Sequence, residues 1–123
     1  MDILMIIGRI LFGGYFLYSA INGHFLKNAM FSQYAGSKGV PMPKLAVYGS
    51  GLLILLGGLG VIWGNTDYLN YSLWLIVIFL VPVTLKMHAF WNDTDPMLKM
   101  MNQTNFLKNL ALLGAALSMM SGY

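Results

Sequence analysis

Cysteine is absent from the 123 residues, which removes disulfides, thiolate nucleophiles and cysteine-ligated zinc or iron–sulfur centres. Any redox role would need a bound cofactor or a partner protein. Charge is almost as scarce: Lys, Arg, Asp and Glu make up 9% of the chain, where a soluble domain carries about a quarter. Seven Lys and Arg against four Asp and Glu give a formal net charge of +3, but the lysines stand singly, in loops. Without a basic run nucleic-acid binding has little support, and contact with anionic lipid headgroups is the better reading of the excess. The two histidines, His24 and His88, lie in different loops, so no metal site and no self-contained electron-transfer centre is expected.

What the chain has instead is apolar side chains and glycine. Hydrophobic residues make up 58% of it and 14 positions are glycine, with a mean hydropathy of +0.67. Four apolar stretches, 3–22, 44–63, 69–90 and 104–121, each come close to the roughly 20 residues that a helix needs to cross about 30 Å of hydrocarbon. The expected fold is therefore all-α: a single four-span domain over residues 1–123, folded as an antiparallel transmembrane bundle with a short interfacial helix in its first loop. Asp2 stands where a signal peptide would begin with a basic residue, and Arg9 interrupts the apolar run. The first stretch is thus expected to remain in the mature protein.

In that stretch Gly8, Phe12, Tyr15, Ser19 and Asn22 recur at three or four residues, a helical face expected to pack against protein. Gly8, Gly13 and Gly14 should admit a neighbouring backbone. Arg9, about 9 Å inside the start at 1.5 Å per residue, is an intramembrane charge with two readings. Either it snorkels to the outer headgroups, or it is buried against a carboxylate or a ladder of backbone carbonyls. Phe25, Leu26, Ala29, Met30 and Tyr34 recur at helical spacing and predict an amphipathic helix over 25–35, lying in the interface. The second stretch, with Gly49, Gly51, Gly57, Gly58, Gly60 and Gly64, reads as a packing helix. The turn at 64–67 is short enough to make the next span its antiparallel neighbour. Pro82 should kink the third stretch by freeing the Ile78 carbonyl. Asp95 as N-cap and Pro96 at the first helical position predict a short helix over 96–101. In the fourth stretch Ala111, Gly114, Ala115, Ser118 and Gly122 form one side suited to close packing.

With four spans, the loops 22–44 and 86–108 share one side and hold all six lysines, while the termini and the 64–67 turn hold none. The positive-inside rule puts the lysine-bearing loops in the cytoplasm and both termini outside, in a cell inner (plasma) membrane.

Several segments are similar to a known family: Gly8-Arg9, Gly23-His24-Phe25 with Lys27, Gly39-Val40-Pro41-Met42-Pro43, Leu56-Gly57-Gly58-Leu59, His88-Ala89-Phe90-Trp91 with Asp95-Pro96, and the run 105–114 that contains Lys108-Asn109. Over nearly its whole length the chain resembles the DoxX family of small four-helix membrane proteins. The segments around His88 and Lys108 carry most of that resemblance. It implies the four-helix membrane fold and a setting linked to quinone-dependent or thiol redox processes. At Ile54 the chain departs from many members of the family, which carry a glutamate near that position, just before the Gly-Gly pair.

A hydrophobic ligand with a polar head needs a few convergent donors in an apolar pocket. Such groups gather only at the lysine-bearing end, so the expected ligand-binding residues are His88, Trp91, Lys108, Asn109, His24, Asn22 and Tyr15. No covalently bound cofactor is expected, and no reaction is assigned. The leading reading is an accessory or docking subunit of a membrane system, with lipid and a partner membrane protein or a second copy as its contacts. The alternatives are a quinone or other hydrophobic redox ligand bound near the cytoplasmic end, and passage of a small or lipid-like solute.

Overall fold

The computed structural model describes residues 2–120. Among them every regular element is helical. α1 (Ile3–Tyr18) runs on through a π-helical turn (Ser19–Phe25); α2 (Asn28–Ser37), α3 (Pro43–Trp63) and α4 (Leu69–Met87) follow, and a 3-10 turn (Phe90–Asn92) leads into α5 (Pro96–Met120). Three stretches, Ile3–Phe25, Pro43–Trp63 and Leu69–Asn92, are long and apolar enough to cross a membrane. The expected fourth span is not among them. α5 has the length, at 25 residues, but Asn102, Gln103, Asn105, Lys108 and Asn109 dilute its first half.

Local chemistry sets the helix ends. The Asp2 carboxylate accepts the Leu4 N–H at 3.0 Å and caps α1. Pro43 opens α3, where a missing N–H costs nothing, and Gly64 closes it in the left-handed region at φ +69°. The short helix expected in the first loop forms as α2, beginning three residues later than its apolar spacing suggested. A separate helix over 96–101 does not form, because residues 101–105 contain neither Gly nor Pro and α5 continues through them unbroken. α4 likewise continues past Pro82 to Met87.

Burial corrects several faces. On α1 the buried stripe is Arg9, Phe12, Gly13 and Phe16, continued by Ala20, Gly23 and His24, so the anticipated face shares only Phe12 with it; Gly8 and Tyr15 are exposed. α1 packs on α3, α3 on α4 and α4 on α5, while α1 and α5 share no comparable packing. Glycine makes the first two contacts close. A Cβ on Gly58 would stand 2.8 Å from the Gly13 carbonyl oxygen, and one on Gly57 2.8 Å from the Ile76 side chain; Gly60 is filled by Ser72 in the same way. Phe16, Ile54, Val61, Leu73, Ile76 and Leu80 form the solvent-free centre around these contacts.

Gly8, Gly14, Gly49 and Gly114 have nothing within 4 Å of an added Cβ, so they do not mediate close packing. On α5 the residues turned inward are Asn102, Asn109 and Ala116, seven apart. Ala111, Gly114, Ala115 and Ser118, expected to be the packed side, are exposed, and Gly122 lies outside the described residues.

Candidate functional site

A cavity of about 890 Å³ opens in the half of the molecule where the end of α1, the start of α3, the end of α4 and the first half of α5 meet under α2. Phe16, Phe31, Phe79 and Leu53 give it apolar walls. Of the seven residues expected to bind a ligand, His24, His88, Lys108, Asn109 and Tyr15 line it; Asn22 and Trp91 do not. Asn22 donates its amide to the Tyr18 hydroxyl at 2.9 Å instead. Trp91 is 53% exposed and packs edge-on against Phe90 and Phe106.

His24 is seated by two glycines. A Cβ on Gly51 would come within 2.6 Å of the His24 Cβ, and one on Gly23 within 2.7 Å of the Phe31 ring. The π-helical turn that carries His24 holds it there: the Leu26 N–H reaches back five residues to the Ile21 carbonyl at 3.1 Å. His24 Nδ1 lies 3.0 Å from the Val47 carbonyl oxygen and 3.2 Å from Ser50 Oγ, which itself donates to that carbonyl. A carbonyl only accepts, so Nδ1 carries the hydrogen and, in the neutral ring, Nε2 offers a lone pair. The rings of Phe31 and Phe79 flank the imidazole edge-on at 5.3 and 5.5 Å.

A second cluster clasps α2 to the start of α5. Asn102, 2% exposed, donates to the Asp93 carboxylate at 2.8 Å and meets the Tyr34 hydroxyl at 3.1 Å. Its amide oxygen lies 3.2 Å from His88 Nδ1, which is therefore the donor. Lys38 completes the clasp with an ion pair to Asp93 at 3.0 Å. The Asn102 amide, and then the Lys38 ammonium, hold the Asp93 carboxyl below its ordinary value; the bond to Asp93 raises Lys38 against the opposing effect of burial. Asn102 and Asp93 were not anticipated. The seven-residue step Asn102–Asn109–Ala116 is the signal that could have placed Asn102 inward; no such spacing marks Asp93.

Two further lysines border the cavity. Lys108 Nζ reaches from α5 to α1, donates to the Tyr15 hydroxyl at 2.9 Å and lies 5.3 Å from the centre of that ring. Lys86 Nζ is 3.5 Å from where a Cβ on Gly39 would be, at φ +82°. Pro82 leaves the Ile78 carbonyl without its intrahelical donor, and both residues line the cavity.

Arg9 belongs to the opposite end and does not extend to the surface. It is 8% exposed, with its guanidinium pressed on Gly64 so that an added Cβ would meet it at 2.5 Å. Nε has no hydrogen-bond partner, and no carboxylate pairs with it among the described residues. The charge sits at the end of α3 where the helix dipole is negative. No group of three His, Cys, Asp or Glu capable of holding a metal occurs among the described residues. No protein-family model, no curated protein and no solved structure matches the chain.

Proposed function

We propose that this is an integral membrane protein of the DoxX type that holds one hydrophobic molecule with a polar head in the cavity between α1, α3, α4 and α5. The observation that carries the reading is the cavity itself. Its volume of about 890 Å³ falls within the range of about 300–1,000 Å³ typical of small-molecule sites, and like them it has mostly apolar walls and a few polar groups. Asn105, Lys108 and the Nε2 face of His24 offer both donors and acceptors to a head, and Phe16, Phe31 and Phe79 offer flat surfaces to a ring or chain. A quinone is one molecule of this shape. In this reading the apolar second half of α5, whose Ala116 is fully buried, completes a four-helix bundle in an inner membrane, with α2 and the lysine-bearing loops in the cytoplasm.

Native mass spectrometry of the purified protein with an added alkyl-benzoquinone tests the reading. One equivalent should bind, and Leu53→Trp, which fills the cavity, should abolish binding; a wild-type protein that binds none overturns it.

A second reading, an accessory subunit docked on a larger membrane complex or on another copy, has one observation in its favour. Ala111, Gly114 and Ala115 are exposed on α5, and small residues are the usual contact surface between membrane helices. Gly114→Leu should then reduce the mass of the particle extracted in mild detergent; an unchanged mass removes this support.

A further inference from the structure

We infer that the occupant of the cavity is an anionic single-chain amphipath, a carboxylate or phosphate on one long alkyl tail, taken up sideways from the membrane between α1 and α5. The inference rests on the cavity reading above and adds the charge and shape of the ligand. Lys86 and Lys108 both border the cavity, and no Asp or Glu does. Asp93 is held by Lys38 and Asn102, and the Lys38–Asp93 pair is the only salt bridge among the described residues. Both lysines are exposed, so they stand at the mouth of the apolar space with neither paired to a carboxylate among the described residues. An anionic head would supply the missing charge while its tail filled the space beside Phe16, Leu53 and Phe79.

The route follows from the packing. α1 and α5 do not pack closely, and Lys108 spans the space between them to Tyr15. Both residues are exposed on the outside and line the cavity on the inside. The head of an arriving anion would therefore meet the Lys108 ammonium first, and could replace the neutral Tyr15 hydroxyl as its partner with a stronger, charge-assisted hydrogen bond. The dimensions favour one chain over two, since the whole cavity is the size of a site for a single small molecule.

The test compares palmitate, hexadecyl phosphate and hexadecanol, which share a tail and differ in charge, by native mass spectrometry of the full-length protein in a neutral detergent. At least one of the two anions should bind about tenfold or more tightly than the alcohol, the scale of a hydrogen bond to a charged group. In K86M/K108M that ratio should fall towards one, and in K86R/K108R it should persist. The palmitate arm against the phosphate arm distinguishes a fatty-acid source from a phosphorylated one. Equal binding of acid and alcohol by the wild-type protein overturns the inference while leaving the cavity reading intact, and needs no variant to be folded. A preference that survives in K86M/K108M also overturns it. Failure of all three to bind also overturns the inference, and the cavity reading falls with it only if the alkyl-benzoquinone is not bound either.

Discussion

Between α1 and α3, Gly13 and Gly58 bring two backbones so close that neither position has room for a methyl group. About two turns further along the same helix pair, at Ser19 and Ser50, the walls stand apart around a cavity of about 890 Å³. The closed half is built from glycine and aliphatic side chains, with Ile54, Val61, Leu73 and Ile76 fully buried. The open half is lined by aromatic rings, two histidines and two lysines. Unfilled space lowers stability in proportion to its volume, and the chain closes such space efficiently where glycine faces glycine. The difference teaches that the open half is not a failure of packing, since the means of closing it are present on the same helices.

The largest effect should come from the residue at the boundary of the two halves. Phe16 is 1% exposed and lines the cavity on one side, so Phe16→Ala should lower unfolding free energy by about 3–5 kcal/mol, measured by thermal or denaturant unfolding in detergent. A loss under about 1 kcal/mol would mean that the core and cavity are not separated there.

Gly58→Leu attacks the closed half directly. Overpacking typically costs about 1–3 kcal/mol, and because the obstacle is the Gly13 backbone rather than a flexible side chain, the upper end is expected. Gly114→Leu is the matched control. With nothing within 4 Å of its Cβ, it should stay within about 0.5 kcal/mol as surface changes do. Equal losses for the two would erase the contrast between the packed and open glycines.

The clasp over the open half should respond to pH. Asp93 has a depressed folded-state pKa, so its contribution is complete above the ordinary carboxylate range and disappears as pH falls through the depressed value. Lys38 is raised, so its contribution is complete below the ordinary lysine range and disappears as pH rises through the raised value. The clasp is thus intact across neutral pH and lost at both extremes. Hydrogen exchange at α2 should accelerate on acidification, and Asp93→Asn should remove that acid dependence at a smaller stability cost than Gly58→Leu. An acid response that persists in Asp93→Asn would assign it to another group.

Much of this arrangement was legible from residue types. Lengths and apolarity marked the long helices, the polar residues near 24, 88 and 108 marked the end that holds the cavity, and the glycines of the second stretch marked it as a packing helix. The faces were less legible. In a helix that is apolar nearly all round, periodicity is a weak guide to the inward side, which is why the stripe through Gly8 and Tyr15 was offset from the one through Arg9 and Phe16. Gly114 shows that a small residue admits a close neighbour without supplying one. Asn102 escaped notice because its partners, Tyr34, His88 and Asp93, come together only when α2 folds back over the start of α5.

The claim that the open half exists to hold a molecule is tested most directly by native mass spectrometry of the protein extracted gently from its own membrane, with nothing added. Leu53→Trp fills the cavity, and Leu52→Trp, at a position 50% exposed on the outside, is the control. The wild-type protein and Leu52→Trp should carry a hydrophobic adduct of one defined mass per chain, and Leu53→Trp should lack it at an unchanged thermal midpoint. A wild-type protein without any adduct, or an adduct that Leu53→Trp retains, would contradict the account.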